Sequence, residues 1–288
     1  MNIAIFGLGY VGLIAAGCLT SQGHRVFGVD VSEKKVDAVN AGRSPIVEPG
    51  LEALLAKAVK DGLLTCSTNV ADTLVGCDMA IVCVGTPSGL DGSHNMSFIA
   101  EVSRQIAAGI GKGREKPLTI VYRSTLRPGT IEELVWPIIR ATVGENPGAV
   151  EIVYNPEFLR EAHGVKDFFA PPKIVIGTAD GQPNARMTEM NKGLDAPVFV
   201  TRYREAEFTK FVDNTYHALK VAFGNEIGRV CLQLGISASK IHEIFISDTK
   251  LNISASYFRP GGAFGGSACP RTSGRCNTSR PTSAPEPT

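Results

Sequence analysis

Three glycines near the start of the chain have a spacing that can do chemistry: Gly7, Gly9 and Gly12, in the run Gly7-Leu8-Gly9-Tyr10-Val11-Gly12. A GxGxxG turn between a strand and a helix brings backbone N–H groups and the positive end of the helix dipole onto a pyrophosphate. Gly7 permits the tight turn, Gly9 the close approach, and Gly12 the packing of helix on strand. Asp30 ends the next apolar run, roughly 20 residues on, where a carboxylate accepts hydrogen bonds from ribose hydroxyls. An acid there repels a 2′-phosphate, so the expected cofactor is NAD rather than NADP. Lys34 and Lys35 follow on the next helix, where they either favour a phosphate or form a solvated face.

The elements that must hold these residues are legible as apolar runs. Asn2–Phe6 and Arg25–Val29 read as strands flanking a helix over Val11–Gln22, which Gly23 stops. Further strands are expected at Met79–Val84, Leu118–Tyr122, Ile152–Tyr154 and Ile174–Ile176. Continuous apolar strands alternating with helical stretches predict a Rossmann-type α/β fold, a doubly wound parallel sheet covered on both faces. This NAD-binding domain is expected over residues 1–203. An incomplete, all-helical central domain follows over 204–267, led by a long helix at Glu205–Leu234 and a shorter one at Ser239–Ile246. From 268 to 288 the chain turns to Pro, Ser, Thr and Arg and contains no Leu, Ile, Val or Phe. Such a tail buries too little apolar surface to offset its ordering entropy, and disorder is expected.

Composition narrows the partners. Among 288 residues, 43% are hydrophobic and 20% charged, as in a soluble globular protein. A formal charge of +1 gives no electrostatic case for nucleic acid or a membrane surface. No apolar run is long enough to span a bilayer, and the first residues lack the basic segment of a signal peptide. The seven cysteines form no CxxC pair and the five histidines are scattered, so neither a disulfide framework nor a metal site is expected. Reduced thiols in the cytoplasm are the consistent reading.

Several motifs go further. Ser44-Pro45-Ile46-Val47-Glu48-Pro49-Gly50-Leu51, Val84-Gly85-Thr86-Pro87-Ser88, Arg123-Ser124-Thr125, Asn155-Pro156-Glu157-Phe158-Leu159-Arg160-Glu161 and Lys210…Asn214…Asn225-Glu226 together resemble the nucleotide-sugar dehydrogenases, the UDP-glucose/GDP-mannose 6-dehydrogenase family. The resemblance runs from Met1 to about Ser267. Lys250-Leu251-Asn252 and the loop from Arg259 to Ser267 resemble the members that oxidise GDP-mannose for alginate synthesis more than those that oxidise UDP-glucose.

That resemblance implies a four-electron oxidation of a sugar C6 alcohol to a carboxylate with two NAD. A cysteine thiolate attacks the intermediate aldehyde, a thioester follows, and water releases the acid. Glu157 would activate that water, with Thr125 helping to hold it. Lys210 and Asn214 would stabilise the oxyanions. Glu161, His217 and Asn225 would contact the substrate or frame the site, and Tyr257, Arg259 and Gly265 belong to the sugar-nucleotide loop, where a cation meets the diphosphate. Tyr10, Val11, Lys35, Thr86 and Thr125 would line the NAD site beside Asp30. Full-length members of the family are typically homo-oligomers.

The family places its nucleophile after Gly-Gly-Ser, commonly as Cys-Leu-Pro-Lys-Asp-Val-Arg-Ala-Leu. Here Ala268-Cys269-Pro270-Arg271-Thr272-Ser273-Gly274-Arg275-Cys276 follows. Written in GC-rich codons, the family run reads TGC CTG CCC AAG GAC GTC CGG GCG CTG. Without its first T it encodes the observed residues through Arg275, and its last two bases suit Cys276. A one-base frameshift at the nucleophile codon is therefore expected, with an out-of-frame tail and the family's second nucleotide-binding domain lost. Cys269 stands one residue late for covalent chemistry. Two readings remain open: an impaired nucleotide-sugar dehydrogenase, or a non-catalytic remnant that still binds NAD. A small-hydroxy-acid dehydrogenase is a more distant third.

Overall fold

The computed structural model describes residues 1–70, 73–87, 89, 94–110, 116–144, 149–256 and 258. The first strand shows how the sheet is built. In β1 (Asn2–Phe6) side chains alternate between two cores: Ile3 and Ile5 enter one, Ala4 and Phe6 the other. A strand covered on both faces needs apolar residues at every position, which is why the run reads as continuous rather than alternating.

The chain continues through α1 (Tyr10–Ser21), β2 (Arg25–Val29), α2 (Glu33–Asn40), α3 (Leu51–Lys60), β3 (Leu64–Ser67) and β4 (Met79–Val82). Next come α4 (Ser97–Gly109), β5 (Leu118–Tyr122), and a π-helical turn at Ile131–Val135 that runs into α5 (Trp136–Val143). They are followed by β6 (Val150–Tyr154), α6 (Gly164–Phe169), β7 (Ile174–Thr178), α7 (Ala185–Met190) and β8 (Val198–Arg202). Helices α8 (Tyr203–Leu234) and α9 (Ala238–Ile246) end the described elements. Helix α1 is buried over most of its length, from Gly12 to Thr20, and packs in the core that holds Ile3 and Ile5. Helix α4 buries Ile99, Val102 and Ile106 in the opposite core.

The eight strands form one sheet in the order β3-β2-β1-β4-β5-β6-β7-β8. The expected parallel sheet needs one correction: β6 and β7 pair antiparallel, through Tyr154 and Gly177. A parallel crossover must return the chain to the opposite end of the sheet. The segment between β6 and β7 does not return; it stays at the carboxyl end, so β7 runs back and β8 pairs parallel to it. Strands β3 and β8 were not expected from the sequence.

The chain divides into two compact units, Met1–His217 and Ala218–Thr288. In the second unit α8 ends at Gly235, whose φ of 67° suits the left-handed cap, with the Ile236 N–H donating to the Cys231 carbonyl. The Ser237 side chain caps α9 by accepting from the Lys240 N–H, and the rings of Phe223 and Phe245 lie 5.4 Å apart.

Candidate active site

The sequence-predicted residues of the first unit gather where the first six strands in the chain end. Gly7 follows β1 with φ at 96°, and its N–H donates to the Val29 carbonyl at 2.7 Å. A β-carbon on Gly7 would lie 2.8 Å from the Cys83 carbonyl oxygen, and one on Gly12 would collide with the Gly7 carbonyl. These two glycines therefore answer to the protein itself. Gly9 does not: a β-carbon there meets nothing within 4 Å. Gly9 is the N-cap of α1, and no side chain caps that helix. The loop thus has an open approach to the uncapped start of a buried helix, which fits a pyrophosphate.

Asp30 sits at the carboxyl end of β2 and is 9% exposed. Its Oδ2 accepts from the Leu8 N–H at 2.7 Å and the Lys35 ammonium at 3.3 Å, while Oδ1 accepts from the Ser32 N–H at 2.9 Å. Each carboxylate oxygen carries two lone pairs, so capacity remains for a ribose hydroxyl. Lys35 is therefore a partner of Asp30 and not merely part of a solvated face. Val11 lies half-buried in the first turn of α1, and Thr86 is half-buried in the loop after β4.

The loop after β5 begins with Arg123, Ser124 and Thr125. The Ser124 hydroxyl donates to the Val84 carbonyl at 2.6 Å, which ties this loop to the one carrying Thr86. Arg123 donates from Nε to the Asn155 side chain at 3.2 Å, and Asn155 in turn donates to the Val175 carbonyl at 2.8 Å. Thr125 is half-buried beside them in sequence.

Glu157 follows β6, and α8 brings Lys210 to it. The Lys210 ammonium donates to the Glu157 carboxylate at 2.9 Å and to its backbone carbonyl at 2.6 Å. The Glu157 Oε2 also accepts from the Leu159 N–H at 2.7 Å. The two side chains are 9% and 15% exposed, so the pair is largely out of water. Phe158 lies under both neighbouring cations, with Lys173 Nζ 4.5 Å and Lys210 Nζ 5.4 Å from its ring centre. Arg160 holds the loop from its far end through a bidentate pair with Asp167, at 2.9 and 2.7 Å. Those bonds hold the Asp167 carboxyl below its ordinary value, even though its burial acts the other way.

Asn214 lies one helical turn after Lys210 on α8 and is exposed, as are Glu161 and His217. Asn225 is exposed on α8 in the second unit. Tyr257, Arg259, Gly265 and Ala268 lie outside the described residues. The structure thus brings Lys210 and Glu157 together, while Asn214 and His217 face outward on α8.

Two buried acids carry contacts that sequence reasoning did not assign. Glu207 is fully buried, and its carboxylate accepts from the backbone N–H groups of Gly129 and Ile131, at 2.5 and 2.9 Å. Its position three residues before Lys210 was the available signal. Burial raises its carboxyl above the ordinary value, against those two hydrogen bonds. Glu48 joins Tyr10 to α6. Among the described residues, no cluster of His, Cys, Asp and Glu could hold a metal ion.

Comparison with known proteins bears on this arrangement. Residues 1–195 match the NAD binding domain of the UDP-glucose/GDP-mannose dehydrogenase family, and residues 204–275 match its central domain. The chain belongs to the UDP-glucose/GDP-mannose dehydrogenase family. NAD is the cofactor of its first domain, and the open Gly9 approach and the Asp30 carboxylate fit it.

Other members of this dehydrogenase family resemble the chain along nearly its whole length. It is 44% identical to the GDP-mannose 6-dehydrogenase of Azotobacter vinelandii, over 94% of this chain and 62% of that protein. It is 34% identical to a UDP-glucose 6-dehydrogenase of Bacillus subtilis, over 94% of this chain and 60% of that one. The crystal structure of a ternary complex of GDP-mannose dehydrogenase from Pseudomonas aeruginosa superimposes with a TM-score of 0.92 at 42% identity. That match covers 96% of this chain and 64% of the other. The chain spans about three fifths of the length of the relatives it matches.

Proposed function

We propose that this chain carries the NAD-binding domain and part of the substrate domain of a GDP-mannose 6-dehydrogenase, impaired in its second oxidation. The observation that carries the reading is the buried Lys210–Glu157 pair at the carboxyl ends of the strands that hold the dinucleotide loop. When bound, NAD supplies the hydride acceptor. Gly7, Gly9, Gly12, Tyr10, Val11, Asp30, Lys35, Thr86 and Thr125 bind and orient it. Lys210, with Asn214 one turn along, presents N–H donors to an oxyanion at the sugar C6 position. Glu157 takes a proton from water, and Lys210 holds that carboxylate in place through its ion pair. Glu161, His217, Asn225, Tyr257, Arg259 and Gly265 complete the substrate contacts.

Oxidation to the aldehyde needs no thiol. Release of the carboxylic acid does, and Ala268 stands at the position of the nucleophile. The test is NADH formation with GDP-mannose and with UDP-glucose, on this chain and on one with the reading frame restored after Ser267. Acid product from GDP-mannose is expected only after restoration; robust acid formation by the unaltered chain would overturn the proposal. NAD binding with no turnover in either form would instead favour the non-catalytic remnant, the reading that Ala268 supports. Resequencing the locus tests the frameshift directly, and an uninterrupted frame sinks it.

The proposal includes a cytoplasmic homo-oligomer. Among the described residues, Leu219, Leu232 and Leu234 on α8 are 61%, 83% and 66% exposed, an apolar cost that self-association removes. Light scattering showing a monodisperse monomer would count against that part. No helix among the described residues is long and apolar enough to cross a membrane.

A further inference from the structure

The Ser44–Leu51 motif has no part in the chemistry proposed above, yet its glutamate is buried. Glu48 is 8% exposed, and its two carboxylate oxygens reach in different directions. Oε2 accepts from the Tyr10 hydroxyl at 2.8 Å, and Oε1 accepts from the Val165 N–H at 3.2 Å. The Tyr10 hydroxyl also lies 2.9 Å from the Arg160 carbonyl oxygen. Tyr10 opens α1 directly after Gly9, so its ring is rooted in the cofactor loop. Val165 lies in α6 and Arg160 in the Glu157 loop that leads to it. One carboxylate from the α2–α3 connection therefore touches both sides of the site.

The packing around this contact leaves no slack. A β-carbon on Gly164 would lie 2.7 Å from the Tyr10 hydroxyl and collide with Ile14, so the start of α6 closes on Tyr10 only because residue 164 is glycine. Ala162, between the two, holds φ at 63°, a left-handed value that alanine adopts at a cost. The Arg160–Asp167 pair braces the same turn from the other side.

We propose that Glu48 is a positioning residue that couples the dinucleotide loop, through Tyr10, to the Glu157-bearing loop, through Arg160 and α6. Occupancy of the cofactor site is then felt at the loop that faces the substrate. The inference rests on the reading of Gly7–Gly12 as the NAD site and of Glu157 as a substrate-side residue. Its hydrogen bonds make a specific demand on substitutions. Glu48→Gln keeps the set: its amide donates to the Tyr10 oxygen, the Tyr10 proton turns to the Arg160 carbonyl, and the glutamine carbonyl accepts from Val165. Glu48→Ala keeps only the Tyr10–Arg160 contact, and Tyr10→Phe removes both Tyr10 contacts while keeping the one between Glu48 and Val165.

The experiment uses the full chain, with NAD titrated calorimetrically and amide exchange read over residues 157–166 with and without NAD. Glu48→Ala should weaken NAD about tenfold, as Tyr10 and α6 lose their shared acceptor, and abolish the protection that NAD confers on 157–166. Glu48→Gln should restore both. Asp30→Ala should weaken NAD but leave exchange of 157–166 in the free chain unchanged. NAD affinity within twofold of the parent in Glu48→Ala, or a Glu48→Gln variant no better than Glu48→Ala, overturns the coupling. If Glu48→Ala does not fold, Tyr10→Phe must show faster exchange at 157–166 than the parent, and equal exchange overturns the proposal. If the parent itself does not bind NAD, the cofactor reading has failed separately. The coupling then stands or falls on whether Tyr10→Phe changes exchange at 157–166 in the free chain.

Discussion

The Lys210 ammonium holds Glu157 twice, by its side-chain carboxylate and by its backbone carbonyl, across 53 residues of sequence. The double contact means that α8 fixes both the Glu157 side chain and the backbone path of the loop after β6. One turn earlier on α8, Glu207 caps the N–H groups of Gly129 and Ile131 in the segment after β5. The start of α8 is thus a common mount for the segments that follow two neighbouring strands, and the separation of those segments depends on it.

Removing one member of a buried pair leaves the other charge without compensation. Lys210→Ala should cost about 3 kcal/mol of unfolding free energy in urea titrations, and Glu157→Gln should cost clearly less because a neutral amide remains. Equal stability of Lys210→Ala and the parent would show that water reaches the carboxylate.

Two glycines in one loop should respond oppositely. Gly12→Ala forces its methyl into the Gly7 carbonyl and should lower stability by about 2 kcal/mol, with cofactor binding lost as the loop shifts. Gly9→Ala meets no protein atom within 4 Å and keeps an extended backbone that alanine accepts. Its melting temperature should stay within about 2 °C of the parent, while NAD affinity falls at least about tenfold as the methyl fills the pyrophosphate approach. Unchanged affinity in Gly9→Ala would remove the loop from the cofactor site.

Three of the four cysteines of the first unit should be chemically quiet. Burial pushes the Cys18, Cys66 and Cys83 thiols up to about 12. At pH 8 only about one in ten thousand is then a thiolate. Iodoacetamide on the folded chain should leave all three unlabelled, as read by mass spectrometry, and should label them in urea. Rapid native labelling of Cys83, which lies against the Gly12 turn, would mean that this thiol is activated.

Acid should release the Arg160–Asp167 brace of the Glu157 loop only below about pH 4. The Arg160 hydrogen bonds depress the Asp167 carboxyl in the folded state relative to its ordinary 3.8. A depressed folded value contributes stability that is complete above the unfolded value and lost as pH falls through the folded one. The stability difference between the parent and Asp167→Asn should therefore hold steady from neutral pH to about 4 and shrink below it. A difference that grows on acidification would reverse the sign of this coupling.

Local constraints were legible in the residues themselves. The turn at Gly7–Gly12, the strand before it and the acid ending β2 each answer a requirement met within a few residues: left-handed backbone, close approach, continuous burial. The motif at Asn155–Glu161 likewise marked the loop after β6 as distinct from the strands around it. Strands β3 and β8 left no such mark, because Leu64–Ser67 is short with polar alternate positions and Val198–Arg202 is half-exposed at an edge. The antiparallel turn of β7 was equally hidden, since the direction of a crossover depends on where its connection packs.

Sequence alone determined the glycine spacing and the carboxylate after β2 that suit a dinucleotide. Only the tertiary structure decided that Lys210 meets Glu157, that Asp167 clamps Arg160, and that Glu48 joins Tyr10 to α6. The reason is one of range. Glycine spacing and apolar runs act on the backbone beside them, whereas a carboxylate finds its partner only after the sheet has brought distant strand ends to one edge.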